Sequence, residues 1–254
     1  MKKLLAITAL SAALFFGQTA VAEEKAAEEV KPSHVEMVLV LDESGSMSDL
    51  TRDTIGGFNS MIEKEKKLDV DAHVTTVLFN DQYKMLYNRR ELKDVSKMTD
   101  KDYTPGGMTA LLDAVGCTIH KMDMVAGIHR KDKGNKVLFV IITDGEENDS
   151  KEYTYADVKK LIKDRQENAG WEFIFLGANI DAAAAAENLG IDRDRAVKYK
   201  NTGSGVRANF KAVAELSDSL AKSGRVSDEW KETVEKDEDD AADKQSAAVT
   251  LHRR

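Results

Sequence analysis

Four short stretches of this chain consist mostly of apolar and β-branched residues, and they restrict its possible folds more than any other feature. They are residues 37–41, 74–79, 137–142 and 171–176. Continuous apolar runs of about four to eight residues, rather than alternating ones, are typical of strands buried on both faces of a parallel sheet. The sequence therefore predicts a parallel core sheet that is covered on both sides.

Between these runs, apolar residues recur three and four positions apart. This spacing is typical of amphipathic helices that pack one face on a sheet. Strands that alternate with helices predict an α/β, Rossmann-like, doubly wound open sheet with helices on both faces. The four apolar stripes are Ile55, Phe58 and Ile62; Leu112, Val115, Ile119 and Met122; Tyr155, Val158 and Ile162; and Val206, Phe210, Val213 and Leu220.

Two further strands complete the predicted sheet. Residues 82–87 follow the run at 74–79 with only Asn80 and Asp81 between them. So short a link permits a hairpin but not a parallel crossover, which predicts one antiparallel edge strand in a mostly parallel sheet. A short strand at 196–199 would be the sixth.

The first residues have the layout of a secretory signal peptide. Lys2 and Lys3 precede an apolar run at 4–16, and residues 20–22 read Ala-Val-Ala, which is an A-x-A cleavage signal. The run is shorter than the roughly 20 residues that a membrane-spanning helix needs. We expect cleavage after residue 22, a periplasmic or secreted protein, and no membrane insertion after cleavage.

The rest of the chain divides into three predicted parts. Residues 23–33 form a charged linker, residues 34–224 form the folded domain, and residues 225–254 form a charged, disordered tail. Removal of the signal peptide takes the formal net charge from −8 to −10. Such an acidic chain is a poor candidate for binding nucleic acid. Cys117 is the only cysteine, so an intramolecular disulfide is excluded.

Hydroxyl and carboxyl side chains cluster at three junctions of the predicted elements. Residues 42–46 read DESGS after the first strand, residues 104–109 read TPGGMT before a helix, and residues 143–146 read TDGE after a later strand. The carboxyl ends of parallel strands share one edge of an open sheet, where ligands bind. Hard oxygen donors suit Mg²⁺, Ca²⁺ or Mn²⁺. The sequence predicts a site for such an ion at this edge.

The charge of this donor set indicates an open site. Only Asp42 and Asp144 are anionic among the recurring donors, and the others are neutral hydroxyls. A divalent ion held in this way keeps unbalanced positive charge, so it would attract a carboxylate from outside. The set therefore favours binding of a protein partner that presents an Asp or Glu over a closed structural metal site.

These three motifs, in this order, resemble the parts of a metal-ion-dependent adhesion site. That site is found in many von Willebrand factor type A (VWA) domains and in integrin inserted domains, and the resemblance covers residues 34–224. It implies that the hydroxyls of Ser44, Ser46 and Thr109 ligate the metal. It implies that Asp42 and Asp144 ligate it directly or through water. A partner carboxylate would complete an octahedral shell if the ion is Mg²⁺.

Each motif also has an ordinary structural explanation. Asp42, Ser44, Ser46 and Thr109 are good helix caps, and Asp144-Gly145 can be a plain turn. We predict that Asp181 caps the alanine-rich helix that follows it. The remaining candidates at the rim of the site are Glu43, Met47, Glu146 and Glu147.

Catalysis is the weaker alternative. A metal-dependent hydrolase of haloacid dehalogenase type needs a second aspartate two residues after the first, and this chain has Ser44 there. The G-x-S-x-G serine motif and the P-loop motif are absent, and the histidines show no H-x-x-x-H pair, so no zinc site is predicted. A third alternative is an accessory or assembly factor for a larger complex.

Overall fold

The computed structural model describes residues 34–125, 135–227 and 229–236. The predicted signal peptide and linker lie outside these ranges, as do residues 237–254 of the predicted tail. In the described residues, no helix combines the length and the apolar character that crossing a bilayer requires.

A six-stranded sheet forms the centre of the domain, in the order β3-β2-β1-β4-β5-β6. β3 pairs antiparallel with β2, and the other neighbours are parallel. The predicted mostly parallel sheet with an antiparallel edge strand is confirmed. The strands are β1 (His34–Asp42), β2 (Ala72–Phe79), β3 (Tyr83–Glu91), β4 (Asn135–Thr143), β5 (Glu172–Gly177) and β6 (Ala196–Lys198).

Helices cover both faces of this sheet. Odd-numbered residues of β1 such as Met37 and Leu39 belong to a core that α1 and α5 complete, and even-numbered ones such as Val38 belong to a core with α2, α3 and α4. Both faces of β1 are thus buried, which explains its continuous apolar run. The helices are α1 (Thr51–Lys67), α2 (Leu111–Asp123), α3 (Tyr155–Asp164), α4 (Ala182–Leu189) and α5 (Gly203–Ser223).

Local signals set the ends of several helices. The Thr154 hydroxyl accepts from the amide of Asp157, whose carboxylate accepts in return, and this capping box starts α3. Thr202 caps α5 through its hydroxyl alone, which accepts from the amide of Gly205. α5 ends at Ser223, and the Gly224 that follows has a left-handed φ of 67°, which favours glycine.

The order in which strands are added to the sheet reverses after β3, and this reversal determines where a ligand can bind. From β1 the chain builds β2 and β3 on one side, and then returns to add β4, β5 and β6 on the other. The crevice at the carboxyl ends of β1 and β4 is therefore the topological switch point of the sheet, where open α/β folds bind ligands. Asp42 ends β1 and Thr143 ends β4.

The predicted start of the disordered tail at residue 225 is wrong. Residues 230–236 are helical. Trp230 and Val234 are buried in the core that contains α1 and α5, together with Val226. The prediction rested on the acidic composition of this region and overlooked its three apolar residues. Because these residues are buried, the folded domain extends at least to residue 236.

Candidate metal centre

Asp42 is fixed in place by donors from three directions at the carboxyl end of β1. One carboxylate oxygen accepts from the Ser44 amide at 2.7 Å, and the other accepts from the Thr143 hydroxyl at 2.6 Å. The Tyr103 hydroxyl donates to the Asp42 carbonyl oxygen at 2.6 Å. The side chain is buried, so its orientation is set before any ligand binds.

Two serines connect this strand end to Asp144. The Ser44 and Ser46 hydroxyl oxygens lie 3.0 Å apart, and the Ser46 hydroxyl donates to an Asp144 carboxylate oxygen at 2.5 Å. The second Asp144 oxygen accepts from the Asn201 amide nitrogen at 3.3 Å. Residues almost 100 positions apart in the chain therefore share one hydrogen-bonded chain of oxygens.

Thr109 reaches the same place from the loop before α2. A methyl group placed on Gly145 would lie 3.6 Å from the Thr109 hydroxyl oxygen and 3.9 Å from that of Ser46. The Thr109 backbone is held by Asn148, whose side-chain oxygen accepts from its amide at 2.8 Å. The structure thus brings all five predicted ligands, Asp42, Ser44, Ser46, Thr109 and Asp144, to one edge of the sheet.

Backbone hydrogen bonds join the serine loop, residues 42–46, to the glycine loop, residues 104–109. The Gly45 amide donates to the Gly107 carbonyl at 3.2 Å, and the Gly106 amide donates to the Glu43 carbonyl at 2.9 Å. Gly107 has a φ of 74°, and a methyl group there would collide with the Asp81 carboxylate. The left-handed φ therefore favours glycine at this position.

The helix-cap explanation does not account for these hydroxyls. Ser44 precedes a 3-10 turn at Gly45–Leu50 but makes no side-chain cap hydrogen bond. The residue that precedes α2 is Ala110 rather than Thr109, and that position also has no side-chain cap. Asp181 does cap α4, accepting from the Ala184 amide at 3.0 Å, as predicted.

The two carboxylates of the site have no cationic partner among the described residues. Neither Asp42 nor Asp144 takes part in the ion pairs that the described residues form. Burial raises the pKa of Asp42, hydrogen bonds from Ser44 and Thr143 oppose this rise, and the charge of Asp144 adds to it. Burying carboxylates without counter-charge is costly, so the site is suited to a cation. All five side chains offer the oxygen donors that Mg²⁺, Mn²⁺ and Ca²⁺ prefer.

Two of the predicted rim residues are in fact buried. Glu43 accepts from the Lys84 ammonium at 3.3 Å and from the Thr104 amide, and so ties β3 to the glycine loop. Met47 belongs to the hydrophobic core. A turn places both inward, which sequence spacing did not indicate. Glu147 accepts from the Leu112 amide at 2.9 Å and stabilises the start of α2.

Three positioning residues were missed at the level of sequence. Thr143 and Asn201 orient Asp42 and Asp144, and Tyr103 fixes the β1 carboxyl end. Thr143 stands within the TDGE motif, so its hydroxyl was a usable signal. Asn201 and Tyr103 belong to distant loops and carry no motif.

Comparison with solved structures finds the same fold in proteins of distant sequence. The chain is similar to the pilus adhesin SpaC from Lactobacillus rhamnosus GG (14% identity, TM-score 0.58, 76% of this chain and 31% of that chain). It is similar to the vWF domain of the type V pili tip protein Mfa5 from Porphyromonas gingivalis (12% identity, TM-score 0.53, 78% and 100%). It is also similar to the D319A mutant of the PilB minor pilin from Streptococcus sanguinis (13% identity, TM-score 0.52, 76% and 64%).

The match spans less than two thirds of the SpaC and PilB chains, and identities this low show the fold alone. Among curated proteins, none matches this chain significantly in sequence. A family model described as "vWA-TerF-like: vWA found in TerF C terminus" matches residues 34–191, which is more than half of the chain. The chain therefore belongs to the vWA-TerF-like family of von Willebrand factor type A domains.

Proposed function

We propose that this protein is a divalent-cation-dependent protein-binding module that acts in the periplasm or outside the cell. Mg²⁺, or Mn²⁺ or Ca²⁺ in its place, would be held by the hydroxyls of Ser44, Ser46 and Thr109. Asp42 and Asp144 would ligate it directly or through water. A partner Asp or Glu would supply the last ligand, as in a metal-ion-dependent adhesion site.

One observation carries the proposal: two buried carboxylates and three hydroxyls converge at the switch point with no cationic side chain to balance them. A divalent ion would supply the missing charge. Because three of the five donors are neutral, the bound ion would keep affinity for an outside carboxylate. Ser46 is exposed whereas Asp42 is buried, so the open side faces solvent.

The pilus proteins of similar fold support a role in protein contacts. SpaC is described as a pilus adhesin and Mfa5 as a pilus tip protein. We propose by analogy that this chain binds a protein or recruits one to a larger assembly. We propose binding rather than catalysis because Ser44 takes the position where a haloacid dehalogenase-type hydrolase needs its second aspartate.

Calorimetry on the purified chain tests the metal site. We expect one Mg²⁺ or Mn²⁺ site that Asp42→Ala and Ser44→Ala each remove. The matched controls are Asp192→Ala and Ser60→Ala, which alter exposed residues away from the cluster and should bind as the unmodified chain does. Binding that survives both site variants, with their fold intact by circular dichroism, would refute the proposal.

Capture from periplasmic extract tests the partner. We expect a protein that is retained with Mg²⁺, released by chelator, and lost with Asp144→Ala. Retention that chelator leaves unchanged would indicate a scaffold without metal dependence. Turnover of a model phosphoester that Asp42→Ala abolishes would instead support the hydrolase.

A further inference from the structure

Two histidines and a glutamate meet at the opposite edge of the sheet, at the amino ends of β1 and β2. His34 and Glu36 are two positions apart on β1, and so lie on one face. Glu36 is the register partner of His73 on β2, which places the third side chain beside them. The two histidines are 39 positions apart in the chain, so no local sequence pattern could reveal the group.

The distances between the three facing atoms are those of metal ligands. His34 Nε2 and His73 Nδ1 lie 2.9 Å apart, and each lies 3.3 Å from Glu36 Oε1. Tetrahedral zinc with bonds of about 2.0–2.1 Å separates its ligand atoms by about 3.3 Å. A small opening of the histidine pair would therefore admit an ion at bonding distance from all three.

We propose that His34, Glu36 and His73 form a second metal site, which takes a zinc-class transition ion. Two imidazoles and one carboxylate are a donor set for zinc rather than for Mg²⁺. The site thus differs in chemistry from the oxygen-only cluster at the carboxyl edge. The side chains of His34 and His73 are 18% and 27% exposed, so the ion has a route in and its fourth position can hold water.

Neighbouring groups orient these ligands. Asp71 Oδ1 lies 3.0 Å from His34 Nδ1, and a proton between them leaves Nε2 free to ligate. This carboxylate–histidine arrangement is the usual support of a metal-bound histidine. Arg89 Nε donates to Glu36 Oε2 at 3.0 Å and so orients the carboxylate, whose Oε1 faces both histidines at 3.3 Å.

Arg89 also provides the competing explanation. Its terminal nitrogen lies 2.5 Å from Glu36 Oε1 and 3.3 Å from His73 Nδ1. A protonated His34 with Arg89 could balance Glu36 with no metal. In the proposal, the ion replaces the proton of His34, and Arg89 keeps only its bond to Oε2. The two explanations differ in whether an ion binds stoichiometrically.

Cobalt titration separates them. The full, untagged chain is stripped with chelator and titrated with Co²⁺ in excess Mg²⁺, so that the carboxyl-edge cluster is saturated. We expect one equivalent with visible d–d absorption of a low-coordinate site, and its displacement by Zn²⁺. His34→Ala and His73→Ala should each weaken binding more than about 100-fold, because loss of an outer-shell partner alone costs about 10–100-fold.

Two further variants keep the test decisive. Asp71→Asn changes an exposed side chain, and should weaken binding about 10–100-fold even if the histidine variants fold poorly. His120→Ala on α2 is the matched control and should bind normally. The absence of a stoichiometric band, or an affinity that Asp71→Asn and both histidine variants leave unchanged, would overturn the proposal.

Discussion

A carboxylate is buried near each end of strand β1, but the surroundings shift the pKa values of the two carboxylates in opposite directions. Glu36 and Asp42 are 2% and 1% exposed. Burial would raise the pKa of Glu36, but hydrogen bonds from His34 and Arg89 outweigh it and lower that pKa to about 2. Burial raises the pKa of Asp42, and Asp144 adds to the rise.

The difference lies in counter-charge. The amino edge supplies a guanidinium and imidazoles from its own side chains, whereas the carboxyl edge supplies only hydroxyls and a second carboxylate. With no ion bound, Arg89 and the histidines already stabilise Glu36 as an anion. Asp42 has no such counter-charge among the described residues, so we propose that an ion from solution supplies it. The four predictions that follow test this contrast.

The largest effect should come from removing Arg89. In chelator, Arg89→Met would leave Glu36 buried beside histidines alone. Breaking a buried ion pair costs about 3–5 kcal/mol, and since the Arg89 side chain is 32% exposed we expect about 2–4 kcal/mol in urea unfolding. Adding Glu36→Leu to this variant should restore much of the loss. A loss as small as that of a surface substitution would mean that the pair is not what stabilises Glu36.

At the carboxyl edge, stability should depend on an added cation rather than on a side chain, because we propose that the counter-charge there comes from solution. Mg²⁺ at about 100 times its dissociation constant should stabilise the fold by about 2.7 kcal/mol. Asp144→Asn should abolish this gain while leaving the effect of Arg89→Met unchanged. Thermal unfolding with and without Mg²⁺ measures both. If Mg²⁺ stabilised the unmodified chain and Asp144→Asn equally, the proposed dependence of the carboxyl edge on a bound cation would be contradicted.

Glu65 on α1 is another buried carboxylate, and only one of its two oxygens accepts a hydrogen bond. The Ser217 hydroxyl of α5 donates to Oε2 at 2.8 Å, while Oε1 has no partner among the described residues. Burial raises its pKa to about 7; Asp218 adds to the rise, whereas Ser217, Lys64 and Lys222 oppose it. Since this pKa exceeds the unfolded value of 4.5, the folded chain binds more protons between these values. Stability should therefore fall as pH rises from 4.5 to 7.

Glu65→Gln removes the titrating group and so tests this window. We expect the variant to be about 2–3 kcal/mol more stable than the unmodified chain at pH above 8, relative to their difference at pH near 4.5. Urea unfolding at both pH values measures the change. Glu63→Gln, two residues away and partly exposed, is the matched control. A parallel pH dependence of the unmodified chain and Glu65→Gln would show that Glu65 is ionised in the folded state.

The smallest expected change in stability comes from Asp181, which caps a helix at the carboxyl edge but is not among the proposed metal ligands. Asp181 accepts from the Ala184 amide at the start of α4. Asp181→Ala should cost about 1 kcal/mol of stability, the usual effect of losing a helix cap, with Mg²⁺ affinity unchanged. Calorimetry of this variant beside Asp42→Ala checks the distinction. A weakened Mg²⁺ site would place Asp181 among the metal's neighbours.

The sequence alone determined which strands form the sheet and which candidate ligands share its carboxyl edge. Residues 37–41 and 137–142 are apolar without interruption because both faces of β1 and β4 are covered, so the class of sheet could be predicted. Strand ends in a parallel sheet share an edge, so Asp42 and Asp144 had to lie near one another. Local chemistry and strand direction suffice for such a conclusion.

Tertiary structure alone decided the amino edge and the inward turns. The meeting of Glu36 and His73 depends on strand register, and Arg89 reaches them from a left-handed backbone position (φ 45°), beside register shifts in the β2–β3 pairing. The burial of Met47 and Trp230 likewise depends on where loops and the last helical turn fold back. Register and packing are set by contacts between residues distant in the chain, and no local pattern encodes those contacts.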